Sequence, residues 1–354
     1  MNSLPNIRER VGYIDAMRGF MMLLVVYSHI LYFGYGSLFL EHRTSFNDVF
    51  TIIYMPLFFF ISGFVSKYKL INLLPYLINK FKTLIIPTVF FLIIYLLLLN
   101  CTFIPIIMSE SKGGYWFTIT LFEFFVIYAI GNFFSQKLTV NERWQDFFLV
   151  IGALITYAVS APSFSVRLLG LDYDIVTALG ITQWRFYIFF MVGVLFHKHS
   201  VWFEKLLDNS WVIGFVIVSF FLIVLYYCQD GYKPIGAIYH LFFIFLGVSG
   251  IIVVFAFFRK YQSTFTNTPI GKGFQSIGIR TQDIYLLHYF FLPRHLHHLG
   301  DYFSNNPIPV VEFFISSAIT IMVVLVCLVM SKIIRISDLL GSYLLGAKRT
   351  ATVK

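Results

Sequence analysis

Apolar runs long enough to cross a bilayer recur along almost the whole chain of 354 residues. A helix needs about 20 apolar residues to span the hydrocarbon core, and connectors with charged residues, glycine or proline separate the runs. The composition agrees, because 58% of the residues are hydrophobic and only 12% are charged, which is unlike the usage of soluble domains. The runs do not alternate apolar and polar residues, as transmembrane β-strands do. The sequence therefore predicts an all-α polytopic membrane protein, with a single membrane-embedded domain over residues 1–354.

Ten transmembrane helices are expected, and no connector between them is long enough for a second domain. The spans are expected at residues 14–33, 46–65, 84–101, 115–134, 146–161, 181–197, 211–228, 236–257, 281–298 and 310–331. The connectors at 161–181 and 257–281 are expected to form ordered caps or short amphipathic pieces. The first apolar run continues beyond the length of a signal peptide, so we expect it to stay in the protein as an anchor.

The basic residues indicate the orientation of the chain in the membrane. Nineteen of the 26 lysines and arginines fall on the side that holds the N-terminus, six fall on the opposite side, and Arg18 lies inside the first span. By the positive-inside rule, both termini are expected in the cytoplasm, as short tails at 1–12 and 335–354. The basic residues are spread over separate segments and form no single patch, which argues against a nucleic-acid partner.

The first span carries ionisable residues along one face. Arg18 and His29 are eleven positions apart, which is about 20° beyond three full helical turns and about 16 Å along the axis. Asp15 belongs to the same stripe. A charged group at the bilayer centre costs about 2.5–3.5 kcal/mol on insertion scales, so these residues are functional candidates. The competing interpretations are that Arg18 reaches back to the headgroups and that His29 only bonds a neighbouring helix.

Other ionisable residues lie inside later spans. Glu123 is expected near the midplane of the fourth span, where it would pair with Arg18 or His29, or orient His29 as a base; the sequence leaves these alternatives open. His288 lies in the middle of the ninth span and needs a partner or a cavity. Asp283, near the cytoplasmic end of that span, is accounted for by exposure to water.

Two further segments contain notable polar residues. Pro56 is expected to kink the second span, and Ser62-Gly63 permits the close approach of a neighbouring helix or a ligand. The run from Arg294 to His298 contains three histidines at the outer boundary. Its spacing matches no zinc signature, so contact with headgroups or a polyanion is favoured and no metal is expected.

Four stretches resemble the integral-membrane acyltransferase-3 family, particularly the branch of sugar O-acetyltransferases such as fucose 4-O-acetylases. They are residues 14–19 continuing to His29, residues 55–64 (MPLFFFISGF), residues 115–117 (YWF) with Leu121 and Phe122, and residues 284–288 (IYLLH). They run in the family's order, so the resemblance covers nearly the whole chain. In one departure, the family's arginine pair before the proline of the third span is replaced by Lys80 and Lys82 at shifted positions, and lysine lacks the bidentate fork of arginine.

The resemblance implies an acetyl-CoA (acyl-CoA) donor and a hydroxyl acceptor on a cell-surface or lipid-linked glycan. Such a transfer needs a base near neutral pKa, and we hypothesise that His29 is this base, with Glu123 and His288 as further catalytic residues. Arg18, Lys80 and Lys82 would bind the CoA end of the donor. We expect Trp116, Tyr285 and Ser62 to bind substrate.

The expected location is the plasma (bacterial inner) membrane, with the lipid bilayer and the glycan acceptor as partners; formation of a homo-oligomer stays open. The main alternative is a transporter or flippase for a small solute or glycolipid, in which His29, Glu123 and His288 would relay protons. A non-catalytic receptor or assembly protein is the third alternative, and it would tolerate substitution of Arg18 and His29.

Overall fold

A computed structural model describes residues 11–36, 45–67, 72–100, 102–160, 175–227, 237–293 and 295–347. These residues form helices and turns and contain no β-strand. Their α-helices, in chain order, are α1 (Gly12–Tyr35), α2 (Ser45–Phe64), α3 (Leu73–Lys80), α4 (Ile86–Leu99), α5 (Phe103–Met108), α6 (Trp116–Leu138), α7 (Glu142–Val159), α8 (Ile175–Ala178), α9 (Tyr187–Lys198), α10 (Ser200–Asp208), α11 (Ser210–Tyr227), α12 (Ala237–Lys260), α13 (Gln262–Asn267), α14 (Pro269–Ile279), α15 (Thr281–Phe291), α16 (Leu296–Asn305), α17 (Pro309–Ile334) and α18 (Asp338–Leu345).

Several of these helices can cross a membrane. Within the described ranges, five are long and apolar enough, namely Gly12–Tyr35, Leu73–Leu99, Trp116–Leu138, Ile238–Lys260 and Pro309–Ile334. Residues 181–198 and 200–208 pass the same test as a pair and bend by 95° at the break, which makes up to six candidates. The prediction of an all-α polytopic membrane protein is confirmed. The number of ten spans and the cytoplasmic location of the termini stay predictions, and residues 1–10 and 348–354 of the tails lie outside the described residues.

The chain divides into two compact units. Unit 1 comprises residues 1–61 and 199–330, and unit 2 comprises residues 62–198 and 331–354. That the whole chain acts as one catalytic domain stays a prediction.

Helix α1 is the central helix of unit 1, and glycines let its neighbours approach closely. A Cβ atom at Gly19 would overlap the backbone carbonyl of Phe274 in α14, and one at Gly278 of α14 would overlap the carbonyl of Asp15. At the other end of α1, a Cβ atom at Gly300 of α16 would overlap the carbonyl of Gly34. Small residues allow this backbone contact between helices in membranes. Helix α1 is therefore held at both ends.

The connector expected at 257–281 does form ordered helices, α13 and α14. Thr268 caps α14 by accepting a hydrogen bond from the Gly271 N–H at 3.1 Å, and Pro269 follows at the first helical position, where its missing N–H costs nothing. The expectation of short ordered pieces is confirmed here. For the connector at 161–181, residues 161–174 lie outside the described residues.

The helix that carries the predicted third span, residues 84–101, begins before the span does. A continuous helix runs from Leu73 to Leu99 and passes through Pro87. A π-helical turn at Phe81–Ile85 precedes the proline, with the Ile86 N–H bonding the Phe81 carbonyl, and the Thr88 hydroxyl donates to the Leu84 carbonyl at 2.7 Å. These bonds satisfy carbonyl groups near the proline, which itself has no N–H to donate.

Residues 281–298, predicted as the ninth span, do not form one continuous helix, because α15 ends at Phe291 and a separate helix, α16, begins at Leu296. Leu292 has φ −64° and ψ 134°, the extended conformation that a following proline favours, and Pro293 ends the helix. In unit 2, the close approach predicted at Ser62-Gly63 is confirmed, since a Cβ atom at Gly63 would overlap the carbonyl of Phe190.

Candidate active site

Helices α1 and α15 lie side by side and run in the same direction. Near the start of both, an Arg18 guanidinium N–H donates to the Thr281 hydroxyl at 3.3 Å. Further along both, Nδ1 of His29 lies 3.0 Å from Nε2 of His288. Arg18 and His29 therefore both contact α15, which confirms the prediction that they share one face of α1.

The backbone of α15 determines which nitrogen of His288 carries the proton. The His288 side chain is completely buried. Its Nδ1 lies 3.1 Å from the Ile284 carbonyl oxygen and 2.8 Å from that of Tyr285. A carbonyl oxygen can only accept a hydrogen bond, so Nδ1 of His288 is the donor. In a neutral ring, Nε2 of His288 is then an acceptor.

The same reasoning extends to His29. Because Nε2 of His288 accepts, Nδ1 of His29 donates to it, and the lone pair of a neutral His29 is on Nε2. The Tyr289 hydroxyl lies 3.2 Å from this Nε2 and donates to it. The His29 side chain is partly exposed, whereas His288 is buried. His29 therefore presents a basic nitrogen in a fixed orientation.

The predicted catalytic role of His288 stays a prediction, and the contacts of its ring add a role in positioning His29. Both of its ring nitrogens are used, one by backbone carbonyls and the other by His29. His288 orients His29 and fixes its tautomer, as the buried acid does for the histidine of a hydrolase triad. The geometry thus supports a positioning role for His288. Tyr289 was missed in the sequence, where the only indication was its position next to His288.

Two ion pairs lie near the starts of α1 and α15, away from the two histidines. Arg18 pairs with Asp15 at 3.5 Å, and one third of its side-chain surface is exposed. Asp283 pairs with Arg280 at 3.7 Å and is only 1% exposed. The expectation that Asp283 is exposed to water is therefore wrong, since the side chain is buried and its charge is balanced by an arginine one turn earlier.

Glu123 belongs to unit 2, where its carboxylate contacts the segment that follows α8 along the chain. The Trp184 indole N–H donates to a Glu123 carboxylate oxygen at 2.8 Å. Trp184 lies in a 3₁₀ segment, Ile181–Phe186, that begins after Gly180, whose φ of 75° favours glycine. The carboxylate therefore anchors the entry to α9. Its predicted catalytic role stays a prediction.

Lys112 is a buried cation that the sequence analysis missed. Its side-chain nitrogen donates to the carbonyls of Ile107 and Ala178 at 3.1 and 2.7 Å, and the residue is 5% exposed. Burial lowers the pKa of the Lys112 ammonium, and the negative charge of Glu123 opposes this shift. Gly113 and Gly114, which both have positive φ, follow it. This glycine pair was the only sequence signal for the tight turn.

The other predicted binding residues lie in both units. The Lys80 ammonium lies 3.6 Å from the centre of the Phe125 ring, a cation–π contact, whereas Lys82 is exposed. The Trp116 ring lies 6.0 Å from that of Phe186, and the Ser62 carbonyl accepts a hydrogen bond from Ser66. Tyr285 is 7% exposed and provides one of the carbonyls that bind His288. Their roles in binding donor or acceptor stay predictions.

The three histidines before and within α16 come together. Each of His295, His297 and His298 is exposed, and one ligand nitrogen from each lies within 4.8 Å of the others. Arg294, predicted to belong to the same cluster, lies outside the described residues.

A family model described as an acyltransferase domain matches residues 11–332 of the chain. The match includes both histidines of the α1–α15 pair, Arg18 and Glu123. No curated protein and no solved structure matched the chain.

Proposed function

The chain belongs to the acyltransferase-3 family of integral-membrane proteins, and from this premise we propose that it transfers an acetyl group from acetyl-CoA to a sugar hydroxyl. The acceptor is a cell-surface or lipid-linked glycan, and the enzyme acts in the plasma (bacterial inner) membrane. The observation that carries this proposal is the orientation of His29, whose Nε2 is left as a base by the bond between its Nδ1 and His288.

In the proposed reaction, His29 Nε2 accepts the proton of the sugar hydroxyl as its oxygen attacks the thioester carbonyl carbon. A carbon–oxygen bond forms, the carbon–sulfur bond breaks, and the CoA thiolate takes the proton back from His29. The acceptor hydroxyl occupies the place at Nε2 that the Tyr289 hydroxyl holds in the structure. Burial in the membrane keeps competing water from the thioester.

Arg18 is the proposed contact for the phosphates of the donor. Its guanidinium is partly exposed and lies on the same helix face as His29. The two residues are separated by about 16 Å of helix axis, a length comparable to an extended pantetheine arm. A CoA molecule held at Arg18 would therefore bring its thioester towards His29. Lys80 and the exposed Lys82, in unit 2, remain candidates for binding the donor.

Inside-out membrane vesicles and labelled acetyl-CoA test the proposal. Vesicles that contain the protein and a glycolipid fraction should release free CoA and incorporate label into sugar as a base-labile ester. Vesicles with the His29→Ala variant should do neither.

Uptake of a solute without CoA release would contradict the proposal and favour a transporter. CoA release with label only in a product without sugar would keep an acyltransferase but overturn the proposed acceptor.

A further inference from the structure

Three imidazole rings form a compact group at the start of α16. Ring centres are 4.1 Å apart for His297 and His298, 5.6 Å for His295 and His298, and 6.0 Å for His295 and His297. All three side chains are exposed, and one ligand nitrogen of each lies within 4.8 Å of the other two. No other group of this kind occurs in the part of the chain that the structure describes.

The backbone that carries these rings is fixed. Leu296, which lies between His295 and His297, is buried, as is Phe303 two turns further along α16. Gly300 packs directly against the Gly34 backbone in α1. The helix is therefore anchored on its buried face, while the imidazoles extend from the other side with freedom to rotate.

The spacing suits a transition metal after small side-chain rotations. A tetrahedral zinc ion with Zn–N distances of about 2.0–2.1 Å needs ligand nitrogens about 3.3 Å apart. The ligand nitrogens, now within 4.8 Å of one another, reach that separation when these exposed histidines change their side-chain torsions. Three nitrogen ligands leave a fourth position for water or an anion, and imidazole favours zinc, copper and nickel over magnesium and calcium.

The sequence had favoured contact with headgroups or a polyanion at this place. The spacing in the sequence did not reveal that three ligand nitrogens converge, and this convergence points to a metal ion. The lone pair of an imidazole nitrogen is the donor that such an ion binds.

We propose that His295, His297 and His298 form a surface site for a divalent transition-metal ion, with zinc as the probe of choice. A bound ion would link the turn after α15 to the first turn of α16. Because α15 carries His288 and Tyr289, the ion would also stabilise the end of the helix that orients His29.

The test uses the full-length protein, purified in detergent with an affinity tag free of histidine. Zinc affinity is measured by competition with a chromophoric chelator, and cobalt is added separately to record the visible absorption of a nitrogen-coordinated ion. Wild type should bind one zinc ion per chain through this site and give the cobalt spectrum. The variant His297→Ala/His298→Ala should lose the spectrum and bind zinc at least about tenfold more weakly.

A matched control, His199→Ala/His240→Ala, removes the same number of histidines elsewhere in unit 1 and should bind like wild type. Thermal unfolding without metal shows that each variant is folded, which the exposure of His297 and His298 favours. Absence of the cobalt spectrum in wild type, or equal zinc affinity in wild type and the His297/His298 variant, would overturn the proposal. Metal-free binding of anionic vesicles that depends on these histidines, without zinc binding, would replace it with headgroup contact.

Discussion

Nδ1 of His29 lies 3.0 Å from Nε2 of His288. The other ring nitrogen of His288, Nδ1, donates to two backbone carbonyls of its own helix. A chain of hydrogen bonds with one direction thus begins at the backbone of α15 and ends at Nε2 of His29. The backbone cannot change its donor and acceptor pattern, so the tautomer of His29 is fixed by the fold of α15.

Replacing His288 tests this positioning role. His288→Ala removes the acceptor for the His29 Nδ1–H, so kcat should fall by about 10²-fold or more. His288→Gln offers a side-chain oxygen as a substitute acceptor, so it should retain more activity than the alanine variant while KM for acetyl-CoA stays near the wild-type value. Steady-state kinetics checks both variants. Equal activity in the alanine variant and wild type would contradict the role.

Tyr289 donates to the nitrogen that the acceptor hydroxyl must reach. Tyr289→Phe removes that competing donor and keeps the ring, which packs 5.1 Å from the His29 ring. Turnover should therefore stay within about tenfold of wild type, a smaller change than general-base loss produces. An inactive but folded Tyr289→Phe variant would show that the hydroxyl itself takes part in the reaction.

Two substitutions of Glu123 distinguish a structural role of its carboxylate from a catalytic one. Glu123→Gln keeps an oxygen for the Trp184 indole N–H and should remain active. Glu123→Ala leaves that donor without its acceptor and should lose about 1–3 kcal/mol of stability, seen as a lower midpoint of thermal unfolding. If Glu123→Gln is as stable as wild type but inactive, the catalytic assignment is correct instead.

The contact between α1 and α14 is expected to be sensitive to a single methyl group. Gly278→Ala should force the two helices apart at the Asp15 carbonyl, at a cost of about 1–3 kcal/mol from overpacking. Gly273→Ala, on the same helix, is the control, because a Cβ atom there has open space around it. Thermal unfolding in detergent compares the two; equal stability would mean that α14 does not pack on α1 in this way.

The sequence was sufficient to predict which residues share a face of α1, but not which helix packs against that face. Helical periodicity alone places Arg18 and His29 on one side, and the structure agrees. The histidine opposite His29 comes from α15, more than 250 positions along the chain. The periodicity of a single helix does not indicate such distant contacts. Asp283 illustrates the same limit, since its burial follows from packing around α15 rather than from its distance to the end of the span.

The two prolines show why the ends of helices were hard to predict. Pro87 and Pro293 have the same missing N–H, yet one lies inside a helix and the other follows the end of one. A π-helical turn precedes Pro87 and the Thr88 hydroxyl bonds the Leu84 carbonyl, whereas Leu292 is already extended before Pro293. The bond between Trp184 and Glu123 could not be predicted either, because the 3₁₀ segment that presents Trp184 has no periodic signal in the sequence.

The assignment of His29 as the base is tested most directly by the rate of acetyl transfer in a His29→Ala variant. Equal amounts of wild-type and variant protein with the same thermal unfolding midpoint are supplied with saturating acetyl-CoA and glycan acceptor, and free CoA is measured. Loss of a general base predicts a rate lower by about 10²–10⁴-fold. A His29→Ala rate within about tenfold of wild type, below the range expected for a general base, would contradict the assignment.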